Sequence, residues 1–412
     1  MSIELFSLGK LYPSDFLKPD EQPRCEPVEL KLIMEDNGFV HLEKTAPKEA
    51  MWGRYWYRSG INISMRNELK NIVDSILPLM KFEENSIWCD VACNDGSLLS
   101  FIPESFIRIG IDPAEDSFKQ EAEKHSDLII QDYFSADVFK KSLFGNQKIK
   151  VFTSIAVFYD LENPAQFIKD VHDVLEDDGL WVMQISYSGL MLYQNAFDNI
   201  LHEHWAYYGL INLTGLLRDN DFNVMDCQLN DVNGGSMRLY IMKYGSNYSK
   251  FGTQPYRDVC QFRIDSLVAN EINSGILFAS TWKTFFKRIE KLKTKVVDFI
   301  RSEKQKGKKI WGYGASSKGN TLLQYFGLDN TLIDGIAERN IDKWGLRTIG
   351  TNIKIYSERD MRKANPDYLI ILPWHFVKEF KERESEYLKN GGQFIVPCPR
   401  LIIIDNIQET YL

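Results

Sequence analysis

The triplet His202, Glu203 and His204 is the part of this chain whose residue types are best suited to chemistry. A histidine titrates near neutral pH, so two of them beside a carboxylate suit the removal or return of a proton. The same triplet is compatible with a polar helix start that buries one hydrogen-bonded histidine. A zinc site is less favoured, because alternate histidines need at least one further ligand and no zinc spacing is evident. The triplet alone leaves its role open.

A glycine-bearing turn after a buried strand, in the segment 87–99, predicts a ligand pocket. The turn lacks the Gly-x-Gly-x-x-Gly pattern of dinucleotide sites and carries Asp90, Asn94, Asp95 and Gly96 instead. Carboxylates repel a pyrophosphate and attract a cation. We therefore expect S-adenosylmethionine here, with Asp90 near its amino group and the backbone around Gly96 beside its nucleoside.

Acidic residues also end the next two predicted strands. Asp112 is placed to accept hydrogen bonds from both ribose hydroxyls, and Asp132 with Tyr133 is placed to border the adenine. Taken singly, Asp112 could be a helix cap and Asp132 a turn former. Their order at the ends of successive strands favours one cofactor site.

A second glycine-bearing turn lies in the segment 310–319. Gly312, Gly314 and Ser316 would cradle a phosphate, Lys318 would supply a counter-charge, and Glu338 would accept a ribose hydroxyl. The alternative is a degenerate Rossmann-like domain that serves packing alone. The anion is favoured because Lys318 lies at a predicted helix start.

These turns need parallel sheets to position them, and strand–helix alternation predicts an α/β protein. We expect a small N-terminal domain over residues 1–65, a class I methyltransferase domain over 66–245, a helical connector over 246–307 and a Rossmann-like domain over 308–412. The apolar periodicity from 260 to 307 predicts one long connecting helix. The strands expected in the two sheets cover 87–91, 107–111, 128–130, 151–154, 180–185, 223–229, 236–242, 309–312, 333–337, 368–372 and 393–397.

Composition restricts the partners. A formal net charge of −8 argues against nucleic acid, which needs a basic face. No apolar run approaches the roughly 20 residues that span a bilayer, and the N-terminus lacks a signal pattern, so we expect a cytoplasmic protein without a membrane partner. The six cysteines are scattered, which predicts reduced thiols and no bound metal.

Five ordered motifs give the chain a resemblance to a known family. They are Asn94-Asp95-Gly96, the run 194–204 with Tyr207-Tyr208, Gly234-Gly235-Ser236-Met237-Arg238, the run 312–320, and the run 372–376. In these the chain resembles the S-adenosylmethionine-dependent sugar C-methyltransferases that act on nucleotide-linked ketosugars. The resemblance covers nearly the whole chain. It implies a small zinc-bearing N-terminal domain, a central methyl-donor domain and a C-terminal Rossmann-like domain that helps hold the nucleotide sugar.

The chain departs from that pattern at several positions. Met34 and Asn37 stand where the family's second cysteine pair would fall and the first pair is missing, so we expect the zinc to be lost. Ala92 replaces a glycine in the first turn. Asn233 stands where a histidine often precedes Gly-Gly-Ser, and Leu201 where a tyrosine often precedes His-Glu-His.

The resemblance also implies roles for individual residues. His204 would be the base that removes a proton beside a carbonyl, with Glu203 and His202 as orienting groups or sugar ligands. Tyr57 would donate to the developing enolate oxygen. Asn199 and Tyr207 would contact the substrate.

Three functions remain compatible with these residues: a C-methyltransferase on a nucleotide-linked ketosugar, an O- or N-methyltransferase on a related sugar, and an NAD-dependent oxidoreductase or epimerase that uses the turn 312–319. The first requires a base such as His204. The third lacks a Tyr-x-x-x-Lys pair beside a first glycine-rich turn. A non-catalytic sugar-binding protein is a more remote fourth. The sugar, its nucleotide and the oligomeric state are not specified by the sequence.

Overall fold

The computed structural model describes residues 2–412, which divide into two compact units. The central unit comprises residues 55–187 and 206–276, and the split unit comprises residues 2–54, 188–205 and 277–412. Each unit is thus assembled from segments that are distant in sequence. The four-part domain division expected from the sequence stays a prediction.

Regular elements follow one another in the order typical of an α/β protein. The strands are β1 (Ile3–Leu11), β2 (Phe16–Leu17), β3 (Val28–Met34), β4 (Val40–Leu42), β5 (Ile87–Val91), β6 (Ile107–Ile111), β7 (Leu128–Ile130), β8 (Ile149–Ile155), β9 (Leu175–Ser186), β10 (Ala206–Tyr207), β11 (Phe222–Asn230), β12 (Ser236–Lys243), β13 (Ile310–Tyr313), β14 (Gly335–Glu338), β15 (Arg347–Thr348), β16 (Ile355–Ser357), β17 (Tyr368–Ile371), β18 (Gln393–Val396), β19 (Ile402–Ile404) and β20 (Glu409–Tyr411). The helices are α1 (Lys48–Trp52), α2 (Ile63–Ile76), α3 (Asp116–Ala122), α4 (Ala136–Lys140), α5 (Pro164–Val174), α6 (Ser188–Gln194), α7 (Leu210–Arg218), α8 (Gln254–Ser274), α9 (Ala279–Gln305), α10 (Ser317–Phe326), α11 (Glu358–Ala364), α12 (Val377–Arg383) and α13 (Ser385–Lys389).

The central unit is built on a seven-stranded sheet in the order β11-β12-β9-β8-β5-β6-β7. The five strands from β9 to β7 run parallel, and β12 and β11 add an antiparallel edge. All five residues of β5 are buried, as expected for a strand covered on both faces. Helix α2 packs its apolar side chains into the same core, because they recur at helical spacing. The predicted α/β class with a Rossmann-like, mainly parallel sheet is confirmed.

The split unit contains a second seven-stranded sheet, in the order β16-β14-β13-β17-β18-β19-β20. Its first five strands are parallel and its last two are antiparallel to their neighbours. Strands β16, β19 and β20 were not expected from the sequence, because three-residue strands carry little periodicity. The N-terminal strands β1, β3 and β4 form an antiparallel ribbon in this unit.

The expectation of one helix from 260 to 307 is wrong. Helix α8 ends at Ser274, where Gly275 takes the left-handed conformation with φ 65°, and α9 starts at Ala279. A glycine in this conformation ends a helix by satisfying its last carbonyls. The periodic apolar residues from Phe285 onward belong to α9, while α8 lies in the central unit.

Candidate active site

Asp90 is the last but one residue of β5, the middle one of the five parallel strands in the central sheet. Its carboxylate is 3% exposed and accepts a hydrogen bond of 2.7 Å from the Thr153 hydroxyl on the neighbouring strand. Burial raises the pKa of Asp90 to about 7, with the Thr153 bond opposing this and the charge of Asp112 adding to it. A cationic partner would stabilise the ionised form of such a buried carboxylate.

The turn that follows β5 is tight. Ala92, Asn94 and Gly96 all have positive φ, at 59°, 54° and 74°. A Cβ added to Gly96 would lie 2.6 Å from the Cα of Ala122, so a larger residue would displace helix α3. Both the backbone conformation and the available space therefore require glycine at this position.

A cavity opens beside this turn within the central unit, and Asp90 and Tyr57 are the predicted site residues that line it. Asn94 and Asp95 do not line the cavity but bind the backbone of the segment 57–60 beside it. The Asn94 side chain accepts from the Ser59 N–H at 3.0 Å and donates to the Tyr57 carbonyl at 3.0 Å, and Asp95 accepts from the Gly60 N–H at 2.8 Å. The turn thus holds the segment that presents Tyr57 to the cavity.

Asp112, at the end of the next strand, accepts two backbone hydrogen bonds, from Asn94 at 2.7 Å and Ala114 at 2.8 Å. Burial raises its pKa, and these two bonds oppose the shift. Asp132 accepts from the backbone of Tyr133 at 2.7 Å, and the Tyr133 ring is 60% exposed. The expected contacts of these residues with ribose and adenine stay predictions.

Several residues that line the cavity were not singled out from the sequence for a role. Of the polar ones, all but Ser59, which precedes α2, stand at or after the carboxyl ends of β8 and β9 or in the hairpin between β11 and β12, where ligands bind in open parallel sheets. Strand-end position is the signal that would have found them. The polar ones are Ser59, Tyr159, Gln184, Ser186, Asn233 and Ser236.

In the split unit, His204 lies in the segment after α6. Its Nδ1 is 2.8 Å from the carbonyl oxygen of Asn199. A carbonyl can only accept, so Nδ1 carries the proton in the neutral ring and Nε2 is the basic nitrogen. Burial lowers the pKa of His204 to about 3, and the charge of Lys318 adds to this, while the bond to Asn199 opposes it. The ring is therefore neutral at pH 7.

Lys318 also contacts Asn199. Its ammonium donates to the Asn199 side-chain oxygen at 2.6 Å. Burial lowers the pKa of Lys318, and the nearby charge of Asp198 opposes this. Asp198 in turn accepts from the Trp374 indole at 2.9 Å. The structure thus brings together three of the predicted residues, His204, Asn199 and Lys318.

The other two members of the triplet have different surroundings. His202 is 2% exposed, and its Nε2 is 3.0 Å from the carbonyl oxygen of Val28, so it anchors the segment to β3. Burial, together with the charge of Asp15, raises the pKa of Glu203 to about 8. Tyr207 lies on β10 in the central unit and is buried.

In the second glycine-bearing turn, groups of the protein itself occupy the space beside the glycines and the hydrogen-bonding positions. A Cβ on Gly314 would lie 2.7 Å from the Pro373 ring, and one on Gly312 would lie 2.9 Å from Ile336. Ser316 caps α10 by accepting from the Gly319 N–H at 3.0 Å. The Glu338 carboxylate accepts from the backbone N–H groups of Ala315 at 2.7 Å and of Arg339 and Asn340 at 2.8 Å. Its expected ribose contact stays a prediction.

Neither a metal cluster nor a membrane-spanning helix is found in residues 2–412. No group of three or more histidine, cysteine, aspartate or glutamate residues in this part of the chain is arranged to hold a metal ion. Among its helices, none is long and apolar enough to cross a membrane.

Two family models match separate parts of the chain. Residues 62–226 match the model of a methyltransferase domain, and residues 231–399 match the model of a C-methyltransferase C-terminal domain. The chain is 26% identical over 357 residues to C-methyltransferase NovU of Streptomyces niveus, which covers 86% of this chain and 82% of the relative.

Solved structures resemble a smaller part. An S-adenosylmethionine-dependent methyltransferase from Clostridium acetobutylicum is 14% identical with a TM-score of 0.34, over 45% of this chain and 94% of that one. Magnesium protoporphyrin IX methyltransferase from Synechocystis, with bound S-adenosylmethionine, is 13% identical with a TM-score of 0.32, over 44% of this chain and 80% of that one.

Proposed function

We propose that the protein, which is an S-adenosylmethionine-dependent methyltransferase, methylates a carbon beside the carbonyl of a nucleotide-linked ketosugar. Such a carbon becomes nucleophilic when a base removes its proton and the electrons move onto the carbonyl oxygen. The resulting enolate attacks the sulfonium methyl group, and the sulfur leaves as S-adenosylhomocysteine with the electron pair. The match to a C-methyltransferase C-terminal domain and the named relative support carbon as the acceptor.

The observation that carries this proposal is the hydrogen bond between Nδ1 of His204 and the carbonyl of Asn199. It fixes the tautomer in which Nε2 is the base, and burial keeps the ring neutral. A carbon acid needs such a base, because its proton does not leave unaided. An O-methyltransferase depends less on one.

Lys318 supports an anionic substrate. Its positive charge lowers the pKa of His204, so a diphosphate bound beside Lys318 would offset that charge and raise the basicity of His204 in the complex. The ammonium lies in the first turn of α10, where the helix favours an anion. The base would then be strongest when the nucleotide sugar is bound.

Tyr57 is proposed as the donor to the enolate oxygen. The residue as a whole is 38% exposed and lines the cavity, and burial of its hydroxyl together with the charge of Asp95 raises its pKa. The hydroxyl therefore stays protonated and can donate. Asp90 is proposed to bind the amino group of S-adenosylmethionine, and Asp112 is proposed to bind its ribose.

The test is solvent-deuterium incorporation into TDP- and UDP-linked 4-keto-6-deoxyhexoses in the presence of S-adenosylhomocysteine, which allows enolate formation but no methyl transfer. The enzyme is expected to exchange one carbon-bound proton, at the position that receives the methyl group when S-adenosylmethionine is supplied. His204→Gln is expected to slow the exchange at least about 100-fold, in line with loss of a general base.

The matched control is His125→Gln, because His125 lies in the turn after α3, outside the residues described above. Exchange at the wild-type rate in the His204 variant would remove His204 from the mechanism. Transfer of the methyl group to oxygen or nitrogen, seen by NMR with a labelled methyl donor, would overturn carbon as the acceptor.

A further inference from the structure

In the central unit, the guanidinium of a buried arginine is hydrogen-bonded to side chains around it, and one of these lines the cavity beside the β5 turn. Arg238 on β12 is 3% exposed. Its guanidinium donates to the Glu68 carboxylate at 2.6 Å and to the Asn71 and Ser75 side chains of α2 at 3.0 and 3.2 Å. Its Nε donates to the side-chain oxygen of Gln184 at 2.9 Å. A buried arginine with this many partners holds each of them in a defined orientation.

The orientation of the Gln184 amide follows from chemistry. An arginine N–H can only donate, so the Gln184 atom that faces Arg238 must be the carbonyl oxygen. The side-chain amide of Asn230 donates to the same oxygen at 3.1 Å. Both lone pairs of the oxygen are therefore used, and the amide cannot rotate by 180° without placing its NH₂ against two donors.

The NH₂ group of Gln184 is consequently fixed as a donor. The residue is 3% exposed and lines the cavity beside the β5 turn, and the hydrogen bonds from Arg238 and Asn230 engage only its oxygen. A ligand oxygen in the cavity can accept a hydrogen bond from this group.

Gln184 and Asp90 stand on different strands at the cavity. Asp90 pairs across the sheet with Thr153 on β8 and through it with Val182 on β9, two residues before Gln184. Neighbouring strands are about 4.8 Å apart, so the backbone of Gln184 lies about 10 Å sideways from that of Asp90 and further along the strands. The affinity of variants for the methyl donor therefore tells whether Gln184 contacts the cofactor or the acceptor.

We infer that the Gln184 amide donates a hydrogen bond to the carbonyl oxygen of the methyl acceptor and to the enolate oxygen that replaces it. The inference rests on the proposed carbon methylation. Gln184 donates a hydrogen bond and transfers no proton: the proton goes from carbon to the base, and the electrons go to the oxygen that Gln184 contacts. Its specificity is for substrates that carry an acceptor oxygen at this place.

The test is Gln184→Glu, which preserves the shape and still accepts from Arg238 and Asn230. It replaces the NH₂ donor with a second oxygen, which repels the ketone and the enolate. We expect kcat/KM for the ketosugar turned over by the wild type to fall about 100-fold or more, as when an oxyanion donor is removed. Deuterium exchange should slow by a similar factor, while affinity for S-adenosylmethionine and the unfolding midpoint stay unchanged.

Gln166→Glu is the matched control, because it makes the same change at an exposed position on α5. Wild-type exchange and turnover in Gln184→Glu would overturn the inference. Loss of donor affinity in that variant would also overturn it, by assigning Gln184 to the cofactor. Absence of carbon methylation in the wild type is a separate result that would defeat the proposed function itself.

Discussion

The two glycine-bearing turns occupy equivalent places in two similar sheets. Strand β5 lies between β8 and β6, and β13 lies between β17 and β14. In each case an acid at the end of the following strand holds the turn: Asp112 accepts from the Asn94 N–H and Glu338 from the Ala315 N–H, both at 2.7 Å. The topology and the acid are thus common to both turns.

Their surroundings differ at the end of the adjacent strand. Beside the first turn, β8 ends at Ile155 followed by Ala156, and both line the cavity with Asp90. Beside the second, β17 runs into Leu372 and Pro373, and the proline ring fills the space next to Gly314. A strand–glycine–helix pattern therefore specifies a tight turn, whereas its use for a ligand depends on what the neighbouring strand contributes.

The largest effect is expected from Gly96→Ala, which would break the first turn. A non-glycine residue at positive φ costs about 1–2 kcal/mol, and the contact with the Ala122 backbone adds an overpacking cost of about 1–3 kcal/mol. We expect the free energy of unfolding in urea to fall by about 2–5 kcal/mol. Gly245→Ala is the control, because Gly245 has φ +82° and nothing within 4 Å of an added Cβ. Equal losses in the two variants would contradict a packing role for Gly96.

Asp90→Asn should show that S-adenosylmethionine binds at the first turn and not at the second. A charged hydrogen-bond partner contributes about 1.5–3 kcal/mol, so affinity for S-adenosylmethionine measured by calorimetry should fall about 10- to 100-fold. Glu338→Gln changes the second turn and should leave that affinity unchanged. An unaffected affinity in the Asp90 variant would move the donor's amino group elsewhere.

The pH dependence of donor binding sharpens the same assignment. The pKa of Asp90 is about 7, and only the ionised carboxylate attracts the donor's ammonium group. As pH falls through 7 the carboxylate takes up a proton that the donor must displace, so affinity should decrease about tenfold from pH 8 to pH 6. The Asp90→Asn variant should lack this dependence. A flat profile in the wild type would show that the carboxylate pairs with no cation.

Much of the donor site could be predicted from sequence, because its residues act through local geometry. Asp90, Gly96 and Asp112 sit at strand ends, and strand ends are visible as breaks in apolar runs. Strand-end position also marks Gln184, but it does not specify what the side chain does. Its role depends on Arg238, which is 54 positions away in sequence and reaches it only through the pairing of β9 with β12.

In the split unit, the sequence identified the site residues but not the contacts between them. Lys318, Asn199 and His204 were each identified as site residues, but the hydrogen bonds that join them span 119 and 5 positions and no periodic pattern encodes them. Gly312 and Gly314 fit a phosphate-binding pattern in sequence. Only the positions of Ile336 and Pro373 in space show that both glycines are also required for packing.

The smallest expected effect concerns Ala92, the residue that replaces a glycine in the first turn. Its φ of 59° costs an alanine about 1–2 kcal/mol, whereas glycine loses about 0.4–1 kcal/mol more conformational entropy on folding. Ala92→Gly should therefore stabilise the protein by up to about 1 kcal/mol. Ala269→Gly, at an exposed position in the middle of α8, should destabilise it by about 1 kcal/mol, because a helical alanine has no strain to release. Opposite signs for the same substitution, measured by urea unfolding, would show that the turn keeps its shape against the preference of its own residue. A loss of stability in both variants would mean that Ala92 is unstrained and that the neighbouring glycine carries the whole turn.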